Sequence, residues 1–209
     1  KIDSGRFEVY LEEIVPRDLF AKWQSQNEIL ASQKGVSFEV QVDATLPKYL
    51  YADADVLTKI VTNLLSNALK FTEAEGSVLF LAEDLENVFQ FSVKDTGRGI
   101  HEKDIPHVFD RFYQSQQLGV LTEGGTGIGL AVSQEYIKVK DRKIWVEREK
   151  GKGSTFFIQI PRKEILGTTT APMEETDPLF SQKENGIHLL PNDKKSWNDE
   201  QATIMIVED

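Results

Sequence analysis

The chain is 209 residues long, 40% hydrophobic and 28% charged, enough for one well-buried domain with further chain beside it. Its net charge of −10 lacks the basic footprint of a nucleic-acid binder, and the absence of cysteine excludes disulfides and thiolate metal sites. No run approaches the ~18 apolar residues of a membrane span, and KIDSGRFEVY has neither the apolar core nor the cleavage site of a signal peptide, so no membrane contact is expected of this segment.

Residues 6–14 (RFEVYLEEI) alternate well enough for a strand. Pro16 and Asp18 open a helix predicted to run to about Lys34, and SFEVQVD (37–43) is a second strand. Asp53 is the expected N-cap of a helix over 54–71. SVLFLAEDL and NVFQFSVKD follow as consecutive strands, then short helical pieces and a loop over 99–123, and a helix from about Thr126 to Lys140. RKIWVERE and STFFIQIP form a second hairpin ending at Pro161. This order predicts an α+β fold, a two-layer α/β sandwich in which helices cover one face of a mixed, largely antiparallel sheet. Residues 162–201, rich in Thr, Pro, Asn, Asp and Glu and without a period, read as linker, and ATIMIVED (202–209) is an apolar, strand-prone run ending in two acids.

The helix over 54–71 carries the first chemical signal. At ~3.6 residues per turn Lys59, Asn63, Ser66, Asn67 and Lys70 share one stripe, while Leu57, Ile60, Val61, Leu64 and Ala68 lie on the other side. Two buried-looking asparagines one turn apart need partners, because an unsatisfied amide is costly; a solvated polar face is the plainer reading of such a stripe. Two glycine clusters add weight: DTGRGI (95–100) directly after a strand, and GGTGIGLAV (124–132) leading into a helix. Glycine lets a ligand approach the backbone, and free amides at a helix N-terminus hold anions. Neither cluster fits the Walker pattern or the dinucleotide fingerprint. GKGST (151–155), between two strands, reads by itself as a hairpin turn.

Taken in order, the motifs resemble the ATP-binding domain of bacterial sensor histidine kinases, the Bergerat fold of the GHKL superfamily. NLLSNALKFT looks like the N box, DTGRGI the G1 box, IPHVFDRFYQ the F box, GGTGIGLAV the G2 box and GKGSTFFIQIP the G3 segment. The resemblance covers residues 1–161, with KIDSG (1–5) similar to the exit from the dimerisation helices. It implies ATP and Mg²⁺ as cofactors. Asp95 would accept from the adenine amino group, with Gly97 and Gly99 allowing close approach, Phe71 along the base, and Ile100, Phe109, Leu130 and Thr155 completing the pocket. Asn67 would ligate Mg²⁺ through its side-chain oxygen, a hard ligand for a hard cation. Lys70 would meet phosphate oxygens, Gly125, Thr126, Gly127, Ile128 and Gly129 would offer backbone amides, and residues 113–123 would form a lid.

In GHKL enzymes that hydrolyse ATP, a glutamate stands one turn before the Mg²⁺-binding asparagine. Here that position is Asn63, an amide that cannot act as a general base, so the resemblance implies a catalytic set of Asn63, Asn67 and Lys70 that holds ATP for transfer rather than hydrolysis. The phosphoacceptor histidine would lie on a dimerisation domain of the same parent, a homodimer, since His101 and His107 read as surface or packing residues and His188 lies in the irregular stretch after Arg162. Two departures stand out: Gln114 where many members carry a basic lid residue, and no glycine before KIW in VKDRKIW. IMIVED resembles the first strand and acidic pair of a receiver domain, implying a hybrid kinase with a downstream receiver, working in the cytoplasm from a parent that can be anchored in the inner membrane. The rivals are a GHKL ATPase clamp, which would want an acid at position 63, and a non-catalytic nucleotide-binding or protein-interaction module.

Overall fold

The first long element starts where proline can start it. Pro16 opens α1 (Pro16–Lys34), where its missing N–H costs nothing, and Gly35 closes it in the left-handed region (φ 67°), its amide returning to Ala31 and Ser32. The computed structural model describes residues 10–114, 127–137, 142–149, 152–162 and 187–190. Before α1 lies β1 (Glu12–Ile14); after it come β2 (Ser37–Asp43), β3 (Leu50–Ala52), α2 (Ala54–Phe71), β4 (Ser77–Leu85) and β5 (Val88–Asp95). A single 3₁₀ turn spans Ile105–His107; α3 (Gly129–Ile137), β6 (Lys143–Glu149), β7 (Gly153–Pro161) and β8 (Ile187–Leu190) complete the described elements.

The main sheet runs β6-β7-β5-β4-β2-β8. β2 pairs parallel with β4, and β4–β5, β5–β7 and β6–β7 are antiparallel. Period-two alternation turns Val40, Val42, Val78, Phe80, Ala82, Phe91, Val93, Phe156, Ile158 and Ile144 into the core beneath the helices. Phe20 and Trp23 of α1 meet Phe80 and Phe91 of the sheet, with ring centroids between 5.6 and 6.2 Å apart. The predicted two-layer α+β architecture is the one observed. Among the described residues no helix is long and apolar enough to cross a membrane.

Four local expectations need correction. The predicted first strand covers only 12–14 among described residues; residues 6–9 lie outside them. Instead of joining the main sheet, β1 pairs with β3, a three-residue strand that carries too little alternation to be seen in sequence. The helix predicted from Thr126 begins at Gly129, since Gly127 has φ 65° and cannot sit in a right-handed helix; residues 126 and 138–140 lie outside the described ones. Finally, within the stretch read as linker, residues 187–190 pair with β2, and His188 belongs to that strand. The final segment 202–209 lies outside the described residues.

α2 is held at both ends. Asp53 caps it as expected, its Oδ1 accepting from the Val56 amide at 2.9 Å while Oδ2 accepts from Tyr10. At the other end Lys34 reaches across from α1, its ammonium donating to the carbonyls of Leu69 (2.7 Å) and Lys70 (3.0 Å). A cation at carbonyls that have no intrahelical partner stabilises the helix end. Lys34→Met keeps the stem and loses the donor. It should cost about 1 kcal/mol, read as a fall of roughly 2–4 °C in melting temperature for a chain of this size. Lys22→Met, on the exposed face of α1, should leave the melt unchanged; equal melts for both variants would refute this role for Lys34.

Candidate functional site

α2 connects two clusters of predicted site residues. From Asn63 to Phe71 is two turns and roughly 12 Å of helix. At the Phe71 end, β5 delivers Asp95 as its last residue, 4% exposed. Ser154 Oγ donates to one carboxylate oxygen at 2.7 Å and the Gly97 amide to the other at 2.9 Å. Burial raises the Asp95 carboxyl above its ordinary value of 3.8, and hydrogen bonds from the Ser154 hydroxyl and from the Gly97 and Ser154 backbone amides act against that rise. A buried acid with donors aimed at it is a candidate functional group rather than a packing residue.

The glycines around Asp95 are there because the space is taken. A Cβ on Gly97 would overlap the Phe71 carbonyl oxygen, so the loop after β5 lies directly on the end of α2. A Cβ on Gly153 would overlap the carbonyl oxygen of Asp95, and its φ of 100° is closed to ordinary side chains. Gly99 (φ 71°) sits against the Gly153 backbone. Phe71 is half-buried, with Lys70 Nζ 4.8 Å and Arg98 Cζ 4.3 Å from its ring centroid. Arg98, inside DTGRGI, is a cation beside the site that the reading of glycines alone passed over.

At the Asn63 end the polar stripe of α2 meets α3 instead of solvent. Asn63 Nδ2 is 3.2 Å from Ser133 Oγ, which in turn donates to the Gly129 carbonyl at 3.0 Å. A Cβ on Gly129 would overlap Asn63 Oδ1, and Lys59 Nζ lies 5.7 Å from the Tyr136 ring centroid. Asn63 therefore ties α2 to the first turn of the glycine-led helix. Asn67 follows one turn later on the same stripe, half-buried. Ser133, 2% exposed, was not singled out from sequence; its spacing of four from Gly129 was the available clue.

The structure separates some residues that the sequence placed together. Thr155 pairs in register with Lys94 and Glu147 and shares the sheet face of Phe157, away from Asp95, while Ser154 takes the position against the carboxylate. Alternation with the inward Phe156 could have shown that. Phe109 is a core residue, its ring edge-on to Phe156 at 6.4 Å, and Ile100 and Leu130 pack partly buried against the core. Gly127 and Ile128 lie at the mouth of α3, where the Phe112 amide donates to the Gly127 carbonyl at 2.8 Å and pins the two ends of the expected lid. Of the lid only Tyr113 and Gln114 are described; Tyr113 bonds Asp104 at 2.7 Å. Gly125 and Thr126 lie outside the described residues. His101 and His107 are exposed, the latter 2.8 Å from Asp110. Among the described residues no group of three or more His, Asp or Glu could hold a metal ion by itself.

Residues 52–164 match the family described as histidine kinase-, DNA gyrase B-, and HSP90-like ATPase. The sensor histidine kinase WalK of Bacillus subtilis (strain 168) is 39% identical over 118 residues, 56% of this chain and 19% of that protein. The autoinducer 2 sensor kinase/phosphatase LuxQ of Vibrio vulnificus (strain YJ016) is 32% identical over 189 residues, 87% and 22% of the two chains. The aerobic respiration control sensor protein ArcB of Escherichia coli (strain K12) is 33% identical over 171 residues, 81% and 21%. The chain thus spans about a fifth of the length of these curated relatives. Full-length ShkA, crystallised with AMPPNP, superposes with a TM-score of 0.69 at 29% identity, over 80% of this chain and 33% of that one. The nucleotide-free catalytic domain of the histidine kinase ThkA shares the fold, with a TM-score of 0.62 at 22% identity over 73% of this chain and 96% of that one. With five motifs in order, a buried Asp95 at the end of β5, and a family match over more than half its length, the chain belongs to the histidine kinase-, gyrase B- and HSP90-like ATPases of the GHKL superfamily.

Proposed function

We propose that this domain binds Mg-ATP and supplies the γ-phosphoryl group to a histidine on a dimerisation domain of its parent, in a two-component phosphorelay. The observation that carries the reading is the pairing of a buried, hydrogen-bonded Asp95 with an amide at position 63 that is committed to α3. Asp95 reads the adenine amino group, and the close backbone of Gly97 and Gly99 forms the wall of the base pocket. Lys70 and Arg98 supply positive charge beside Phe71 for the phosphates. The amides leading into α3 hold the phosphate chain, as free amides at a helix start favour anions.

The residues suit Mg²⁺ bound jointly with nucleotide. A hard cation that keeps most of its oxygen ligands from phosphate and water needs only one or two from protein, and Asn67 offers one. When bound, the ion neutralises developing charge on the transferred group. Asn63 holds no proton-accepting group toward solvent, so the site keeps ATP for an acceptor instead of passing it to water. The AMPPNP complex of ShkA, a structural neighbour, supports the adenine nucleotide. Likeness to LuxQ, a sensor kinase/phosphatase, over 87% of this chain supports a sensor-kinase parent; the strand-prone run with two acids at 202–209 is the reason to place a receiver downstream. The compartment is the cytoplasm, where ATP is available, whatever anchors the parent.

Calorimetry with Mg-ATP and Mg-GTP tests the assignment. ATP should bind at least tenfold more tightly, and removal of Mg²⁺ should weaken it. Incubated with γ-labelled ATP, the chain alone should release little phosphate and label none of its own histidines. Equal affinity for the two nucleotides would overturn the role of Asp95; steady phosphate release or self-labelling would overturn the transfer reading. Binding of no nucleotide would favour an interaction module.

A further inference from the structure

The chain returns to the sheet after the ATP-binding domain has ended. The family match stops at residue 164 and β7 at Pro161, yet β8 (Ile187–Leu190) pairs parallel with β2, Val40 opposite Ile187 and Asp43 opposite Leu190. In sheet order β7 and β8 are four strand spacings apart, or about 19 Å at ~4.8 Å each. The 25 residues between them, 162–186, are enough to cross that distance, since chain can span up to ~3.3 Å per residue. Gly186 precedes the strand and Pro191 follows it; proline cannot donate to a ladder, so the pairing is confined to a short piece. Without β8, β2 would present an open row of backbone groups at the sheet edge, the kind of template that recruits another strand.

We propose that the outer edge of β2 is a docking site for a short, extended apolar strand, and that residues 187–190 are its ligand: an intramolecular strap, separable from the folded domain. Four residues make few ladder bonds while ordering their backbone, so the strap holds because it is tethered, and it exchanges readily. Docked, it moves the anchor of the downstream chain from the end of β7 to the far edge of the sheet. The tether to segment 202–209 shortens from 39 residues (163–201) to 11 (191–201). With effective concentration falling as roughly the −3/2 power of tether length, that raises the local concentration of whatever begins at residue 202 about sevenfold. The strap thus presents the next module on the β2 side of the domain, and its release lets that module move away. The inference is independent of nucleotide binding.

Hydrogen exchange on the full chain tests it. His188→Pro/Leu189→Pro removes a ladder donor whichever of the two residues faces β2. Exchange at those amides of residues 40–43 that face β8 should rise at least tenfold, while the central strand β5 keeps its protection and nucleotide affinity is unchanged. A synthetic peptide of residues 184–193, added to the double variant at concentrations on the order of millimolar, should restore protection at β2; the peptide with both prolines should not. Unchanged exchange at β2, simultaneous loss of protection in β5, or no restoration by the peptide would overturn the proposal. Light scattering should report a monomer. A dimer whose β2 protection disappears on dilution would overturn the intramolecular assignment.

Discussion

Asp95→Asn should make the nucleotide-free domain more stable at neutral pH while weakening its hold on ATP at least tenfold, about 1.4 kcal/mol. The two effects have one cause. Asp95 is 4% exposed, and burial raises its pKa above 3.8 in the folded state, so its charge at neutrality opposes folding. Because the folded carboxyl binds its proton more tightly than the unfolded one, the residue's contribution to stability is fully present below 3.8 and is lost as pH rises through the folded value. Asparagine removes that loss and keeps most of the polar contacts: its carbonyl can still accept from Gly97, and the Ser154 hydroxyl can turn to accept from the new amide, leaving the Ser154 backbone amide as the one donor to the carboxylate that loses strength. In the proposed site, however, it offers only one acceptor oxygen in place of two and can present a donor to the adenine amino group. Paired thermal melts of wild type and variant should differ by a few degrees at pH 7, and the gap should close as pH falls toward 3.8. A variant less stable than wild type at pH 7, or one with wild-type affinity for ATP, would contradict this account. Retaining an acid that costs stability is what a functional site does.

How much of this was legible in the sequence depended on the reach of the interaction that places each residue. β2 and β4 have the predicted bounds, and α2 has both its bounds and its cap, because alternation, helical period and an Asp at the N-cap are written within a dozen residues. The core face of α2 follows the same way: Leu57, Ile60, Val61, Leu64 and Ala68 are all buried. Partners at long range were not legible. Asn63 finds Ser133 across 70 positions, so its stripe could equally have been a solvated face. β3 and β8, of three and four residues, are too short to show a period, and each is a strand only because a distant edge is available to it. The choice between Ser154 and Thr155 turned on the register of β7 against β5, which places Ser154 opposite Asp95. The start of α3 turned on a single backbone angle at Gly127. Motif order was enough to identify the family, and the fold then supplied the contacts among the motifs.

Those contacts also explain why glycine occupies positions where sequence alone read only a turn. Gly153 lies in GKGST, which looks like an ordinary hairpin. In the fold its φ is 100°, and a Cβ there would overlap the Asp95 carbonyl oxygen and press on Thr96 Cα at 2.9 Å. Gly153→Ala should therefore cost about 3 kcal/mol or more, combining backbone strain with displacement of the strand end that carries Asp95. A fall of roughly 6–12 °C in melting temperature is expected for a chain of this size, together with loss of ATP binding below the unfolding range. Gly35→Ala separates the two causes. Gly35 also has positive φ, 67°, but its Cβ would meet only Ala74 Cβ at an ordinary 3.6 Å. That variant should lose about 1–2 kcal/mol to strain alone and bind ATP as wild type does, since it caps α1 far in sequence from the glycine loops. Differential scanning calorimetry and nucleotide titration on the two variants decide the matter. If Gly153→Ala melts no lower than Gly35→Ala and still binds ATP, the close approach of β7 to Asp95 is not what that glycine is for.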